Sequence, residues 1–203
     1  TCLLLCAYAC GKRPYPKSLI VADSLASARP DSAIALLNTL KESMKAESEA
    51  TRMYYRLLCI KANDKAYIRH TSDSLILPVL HYYTEKKDEH HLPEAYYYAG
   101  RVYRDLEDAP LALDYFQKAI DALPDNKGYR LKSKIYSQMG TLFLYQKTYD
   151  EALKILKEAR KCNIALKDSA SMVFNLRDIA NGYRCLDQND SSLYYLRKAY
   201  YIA

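Results

Sequence analysis

Small and apolar positions recur along this chain in step. With residues 94–124 as the ruler, Gly100 recurs as Gly140 and Ala180, Tyr103 as Phe143 and Tyr183, and Ala112 as Ala152 and Ser192. Phe116, Leu156 and Leu196 follow, then Ala119, Ala159 and Ala199, so five columns keep a forty-residue step through three units. A repeat of this size is one supersecondary unit that buries its apolar face only against its neighbours. The spacing predicts paired antiparallel helices: the Gly/Ala column and the first Ala column sit where the two helices cross most closely, and the aromatic column fills the space beside the crossing. The three clearest units lie near 93–124, 133–164 and 173–203.

Upstream the pattern weakens but persists. Residues 17–28 and 31–45 read as one hairpin, with Arg29 and Pro30 breaking the helix and Asp31 and Ser32 capping the next. A second hairpin is expected over 47–67 and 72–87, capped at 71–74, with Pro78 kinking its second helix. No strand-like alternation competes. The fold class expected is all-α, an α-solenoid of about five helix hairpins over residues 11–203.

The columns resemble the signature of the tetratricopeptide repeat (TPR) family, which runs Trp, Leu, Gly, Tyr, Ala, Phe, Ala, Pro across a helix pair. One unit supplies Tyr96, Ala99, Gly100, Tyr103, Ala112, Phe116, Ala119 and Pro124. The next supplies Tyr136, Met139, Gly140, Phe143, Tyr149, Ala152, Leu156 and Ala159, and the last Leu176, Ile179, Ala180, Tyr183, Ser192, Leu196 and Ala199. The forty-residue step departs from the family's period of about 34 and implies longer helices or longer connections.

The resemblance implies a role in holding another protein or peptide. In TPR families the first helix of each pair lines a groove, and that face maps here to Tyr97, Arg101 and Arg104, to Lys134, Gln138, Thr141 and Tyr145, and to Arg177, Asn181 and Arg184. Such a basic, tyrosine-bearing groove suits an extended acidic peptide or a chain's carboxyl terminus, because Arg binds carboxylates in bidentate fashion. The bland reading of these residues is exposed helix with local ion pairs, such as Arg104 with the acids beside it. The carboxylate clamp of chaperone-binding TPR proteins wants Lys and Asn where Tyr97 and Arg101 stand, so that partner is not implied.

Composition adds a few constraints. The 203 residues are 50% hydrophobic, with 21 Tyr against 3 Phe, a balance that suits a thin architecture in which rings pack while hydroxyls stay wet. A net charge of +6 could steer acidic partners but does not choose among them. The basic groove leaves open an RNA-binding helical repeat, which would show steep salt dependence; an exported protein seldom meets nucleic acid.

Export is suggested by residues 1–10. The apolar run CLLLCAYAC stops at Gly11-Lys12-Arg13, is too short to span a bilayer, and places Ala7 and Ala9 as a cleavage site would want them. It resembles the lipobox of bacterial lipoproteins, in which the cysteine after the small residue is acylated; here that is Cys10. It departs from the family's preference for Leu at Ala7 and a small residue at Tyr8. The resemblance implies a lipid anchor at Cys10 and a place in the bacterial cell envelope, the alternatives being a plain cleaved signal and a soluble periplasmic protein, the end of a truncated membrane helix, or a cytoplasmic one. Cys59, Cys162 and Cys185 fall among apolar neighbours on predicted helices, which favours free thiols over a Cys162 to Cys185 bridge.

Catalytic chemistry finds no foothold. The chain has no phosphate-cradling Gly-rich loop, GxSxG elbow, HExxH helix or EF-hand loop. His81, His90 and His91 with Glu89 and Glu94 straddle a helix end and a charged turn, which reads as solvated surface rather than a metal site. No enzyme activity, cofactor or metal is expected, unless the chain is the non-catalytic part of an enzyme whose other domain is missing. The last unit reaches Ala203 without a polar capping helix, which solenoids need, so the sequence reads as part of a longer protein, such as the sensing part of a regulator.

Overall fold

A computed structural model describes residues 15–124 and 128–203. The segment read as a lipobox, with Cys10, lies outside the described residues. Ten α-helices and one short 3-10 turn account for the secondary structure among the described residues, with no strand. The expectation of an all-α helical repeat is met. The chain divides into two compact units at Ile68 and Arg69.

In the first unit, α1 (Lys17–Ala28) and α2 (Pro30–Leu40) form the expected hairpin and α3 (Glu49–Lys65) packs on both. The core is made of small residues at the crossings, Ala22, Ala26, Ala33 and Ala62, filled in by Leu19, Leu37 and Leu58. Asp23 ties α1 to α3 by accepting from Tyr54 Oη (3.0 Å) and Lys61 Nζ (2.7 Å).

The sequence expectations at two helix ends need correction. The α2 helix starts at Pro30 itself, with Asp31 in its first turn and no side-chain cap, because proline's missing N–H is not needed at that position. It stops at Leu40 rather than running to 45; Ser43 Oγ donates to the Leu40 carbonyl and the chain tightens into the 3-10 turn Ser43–Ala46. Ser48 then caps α3 by accepting from the Thr51 amide.

In the second unit α4 (Ile76–Glu85) packs against α5 (Leu92–Asp105). Three hairpins follow from the forty-residue columns: α5 with α6 (Ala109–Asp121), α7 (Tyr129–Tyr145) with α8 (Tyr149–Leu166), and α9 (Ser169–Cys185) with α10 (Asn189–Ile202). The hairpin expected of 47–67 and 72–87 has its two helices, α3 and α4, on either side of the division between units. The kink expected at Pro78 is also corrected: Pro78 is the third residue of α4, inside the first turn, where the backbone N–H has no intrahelical partner to lose.

The columns do what their side chains suggest. A Cβ added at Gly100 would stand 2.5 Å from the Phe116 ring, and one at Gly140 would stand 2.5 Å from Leu156, so each absent side chain is the space its partner helix fills. Ala112, Ala119, Ala152 and Ala159 are fully buried beside them. The forty-residue step comes from both sources the sequence allowed. The α7, α8 and α9 helices run 17, 18 and 17 residues, whereas α5 and α6 run 14 and 13 and a longer connection to α7 makes up the difference.

The turns are metered as closely as the helices. In the second unit the left-handed residues other than Gly128 fall at Lys87, Glu107, Lys147, Lys167 and Asp187, each at the end of a helix and at multiples of twenty residues from one another. After each, the next amide reaches back five residues, as Asp108 does to the Tyr103 carbonyl and Thr148 to that of Phe143, which closes the helix with a Schellman bond. At Asp108, Thr148, Asp168 and Gln188 that same residue also caps the next helix, with Asp108 accepting from the Leu111 amide and Asp168 from that of Ser171, whereas Asp88 lies four residues ahead of α5.

Candidate functional site

The first helices of the three hairpins, α5, α7 and α9, carry the residues read from the sequence as a groove. They are not alike in what they present. Tyr97 does not present a groove surface: it is 3% exposed, with its ring against Tyr98 (5.0 Å) and Phe116 (6.0 Å). A tyrosine ring packs as readily as it binds, and here the neighbouring helix takes it. Arg101 is half-buried on the same helix.

Arg104 is held in two directions. Its guanidinium donates to Asp105 Oδ1 (2.7 and 3.3 Å) and, across to α7, to Gln138 Oε1 (2.6 Å). The bland reading of a local ion pair therefore applies to Arg104, and the bond to Gln138 also locks two successive first helices together. Asp105 accepts in addition from the His70 amide (3.1 Å) and His70 Nδ1 (2.8 Å). Burial pushes the Asp105 carboxyl up, but the bonds from Arg104 and His70 outweigh it and hold the group below its ordinary range. This hub joins residues 35 apart, and no periodic signal in the sequence marks it.

On α7, Thr141 turns its hydroxyl back to the Ser137 carbonyl (2.9 Å), and Tyr145 projects with 79% of its surface exposed. Lys134 is exposed and sits near the start of α9, where Asp168 is held low by bonds from the Ser171 amide and hydroxyl, with Arg130 and Lys134 adding their charge. On α9 the structure does gather the predicted residues. Arg177, Asn181 and Arg184 line one cavity of about 330 Å³ together with Asp178, Ala180, Ser192 and Leu196. Arg184 donates to Asn181 Oδ1 (2.7 Å), and Arg177 lies over the exposed Phe174 ring at 5.6 Å.

Asp178 is the residue that the sequence reading missed. Burial pushes its carboxyl up from the ordinary range against the pull of Arg177. It lines the cavity together with both arginines, so the cavity offers cations to a ligand carboxylate but carries a like charge that such a ligand would oppose. Its column, Tyr98, Gln138, Asp178, could have been read, since a carboxylate replaces neutral residues there only in the last unit.

Among the described residues, no group of three His, Cys, Asp or Glu side chains could hold a metal ion, and no helix is long and apolar enough to cross a membrane. Cys59, Cys162 and Cys185 are free thiols.

Residues 93–126, which include the most complete set of columns, match the family model described as tetratricopeptide repeat. No curated protein matches the chain. Among solved structures, a crystal structure of the nearly identical TPR-like repeats of a Podosopora anserina kinesin light chain aligns with a TM-score of 0.67 at 13% identity, over 92% of this chain and 93% of that one. A crystal structure of MamA aligns with a TM-score of 0.60 at 18% identity, over 90% of this chain and 94% of that one. At these identities the likeness is one of fold: a TPR-like helical repeat.

Proposed function

We propose that this chain, a TPR-like helical repeat, is a scaffold whose first-helix row in the second unit holds an acidic protein segment, with the α9 cavity as its strongest point. The observation that carries the reading is the gathering of Arg177, Asn181 and Arg184 around one cavity that already contains a half-buried carboxylate, Asp178. Two guanidiniums and an amide suit a carboxylate partner in geometry and charge. Repeat scaffolds of this kind expose extended surfaces whose job is contact rather than chemistry.

The test is a binding titration with a fluorescein-labelled octapeptide of alternating Glu and Leu ending in a free carboxylate. Replacing both Arg177 and Arg184 by Glu is expected to weaken binding about tenfold or more, that is about 1.4 kcal/mol or more. Asp178→Asn should tighten it several-fold, because the variant removes the charge that resists an anionic ligand. The advantage of Asp178→Asn over the wild type should shrink as the pH falls through the raised titration range of Asp178, since protonation removes the same repulsion while the peptide's own carboxylates titrate alike against both proteins. Affinity indifferent to all three substitutions would refute the reading.

We also propose that the scaffold is held at the bacterial cell envelope through acylation of Cys10, and serves there as the partner-sensing part of a longer regulatory protein. The support is the apolar run of residues 2–10 with small residues before the cysteine. Expressed with its native amino terminus, the protein should gain the mass of acyl chains and sediment with membranes, and Cys10→Ala should lose both. An unmodified wild-type protein in the soluble fraction would exclude the anchor and leave the binding face to be pursued as that of a soluble scaffold.

A further inference from the structure

Two rings on the first-helix row stand in water where the fold has no use for them. Phe174 of α9 is 63% exposed and Tyr145 of α7 is 79% exposed. Their exposure does not turn on what packs against the last hairpin. Tyr145 is exposed with α9 already packed on its hairpin, and Lys134, which holds the position of Phe174 one unit earlier, also stays exposed there. Glu94 and Lys134 share the column of Phe174, and Asp105 and Cys185 that of Tyr145, so neither position requires a ring for packing. Each ring there keeps apolar area in water that a contact would remove. Each also has a guanidinium at its end of the row. Arg177, which lines the α9 cavity, holds its guanidinium 5.6 Å from the Phe174 ring. Arg184, which lines the same cavity, stands one residue before the position on α9 that corresponds to Tyr145.

The spacing of the rings sets a register for whatever lies along the row. Tyr145 comes eleven residues after Lys134, the equivalent of Phe174, which is about 16 Å along the helix direction. With about 10 Å more across to the next hairpin, the two rings are about 19 Å apart. An extended segment covers that distance in about six residues, and residues an even number apart point to the same face of it. We propose that the acidic segment carries two large apolar side chains at positions i and i+6, one seated on Phe174 and one on Tyr145, with carboxylates beside them for Arg177 and Arg184. The inference rests on the acidic-segment reading and deepens it: charge alone leaves the register of the segment open, whereas the two rings fix it.

The probes are two fluorescein-labelled nonapeptides of identical composition, seven Glu and two Phe, with Phe at positions 2 and 8 in one and at 4 and 6 in the other. The glutamates repel one another and keep both peptides extended. Titrated against the whole protein, the first peptide is expected to bind about fivefold or more tighter than the second. Phe174→Ala and Tyr145→Ala should each remove most of that preference. Both rings are exposed, so the melting curves of these variants should match the wild type. Equal affinity for the two peptides, or a preference that survives both substitutions, overturns the proposal. Replacing Arg177 and Arg184 together by Glu separates that failure from failure of the reading beneath it. Weaker binding of both peptides by the double variant would leave the acidic-segment reading standing alone. No response to the double variant, or no binding of either peptide up to about 1 mM, would remove both.

Discussion

Replacing Phe116 by alanine is expected to cost about 3–5 kcal/mol, the usual range for emptying a fully buried aromatic site. Phe116 has no exposed surface, and its ring lies where Gly100 has no side chain. The two positions therefore compete for one volume. Gly100→Ala alone should cost about 1–3 kcal/mol, because its Cβ would stand 2.5 Å from a ring that buried neighbours keep from moving. In the Phe116→Ala background the same methyl enters the vacated space, so the double variant should be more stable than the sum of the single costs predicts. Urea denaturation of the four proteins completes the cycle. Additive costs would mean that the two sites do not share the volume, and the packing account of the columns would fail with them.

The second large effect is expected at Asp105. Its carboxylate accepts from the His70 amide, His70 Nδ1 and the Arg104 guanidinium, and only 11% of the side chain is exposed. Asp105→Ala leaves those donors without their acceptor inside the protein, a loss of about 2–4 kcal/mol at neutral pH. The sign of the pH dependence follows from the lowered titration of the folded carboxyl. A group held below its unfolded value contributes fully above the ordinary carboxylate range, and that contribution disappears as pH falls through the folded value. The stability gap between wild type and variant should thus be widest near neutrality and close on acidification. A gap that stayed constant down to strongly acidic pH would show that the carboxylate's charge is not what holds α5 to the segment before α4.

How much of this could be read from the sequence depends on how far each feature reaches. Columns such as Gly100 with Phe116 join the two helices of one hairpin, so a side-chain pattern repeated at fixed spacing carries them, and they emerged intact. The face of α5 did not, because the fate of Tyr97 depends on the ring of Phe116 and its own neighbour Tyr98, and an amphipathic residue serves a core or a groove equally well. Leu196 shows the opposite limit. It continues a column buried at Phe116 and Leu156, yet it is exposed, since burial of that column is decided by the covering helix and not by the residue. The Asp105 hub and the bond from Arg104 to Gln138 join positions 34 and 35 apart through irregular contacts, and such pairs have no period to betray them.

The turns that end one helix and begin the next with the same residue restrict how such a chain can vary in length. Adding or removing one residue there rotates the following helix by about 100° about its axis and turns its apolar stripe away from the neighbour it should cover. An insertion of that kind would be felt through every hairpin downstream in the second unit, much as a missing tooth throws off a gear train. Change in size is therefore open to this architecture chiefly by whole hairpins, gained or lost at forty residues a time, which makes duplication rather than gradual extension its natural route of growth.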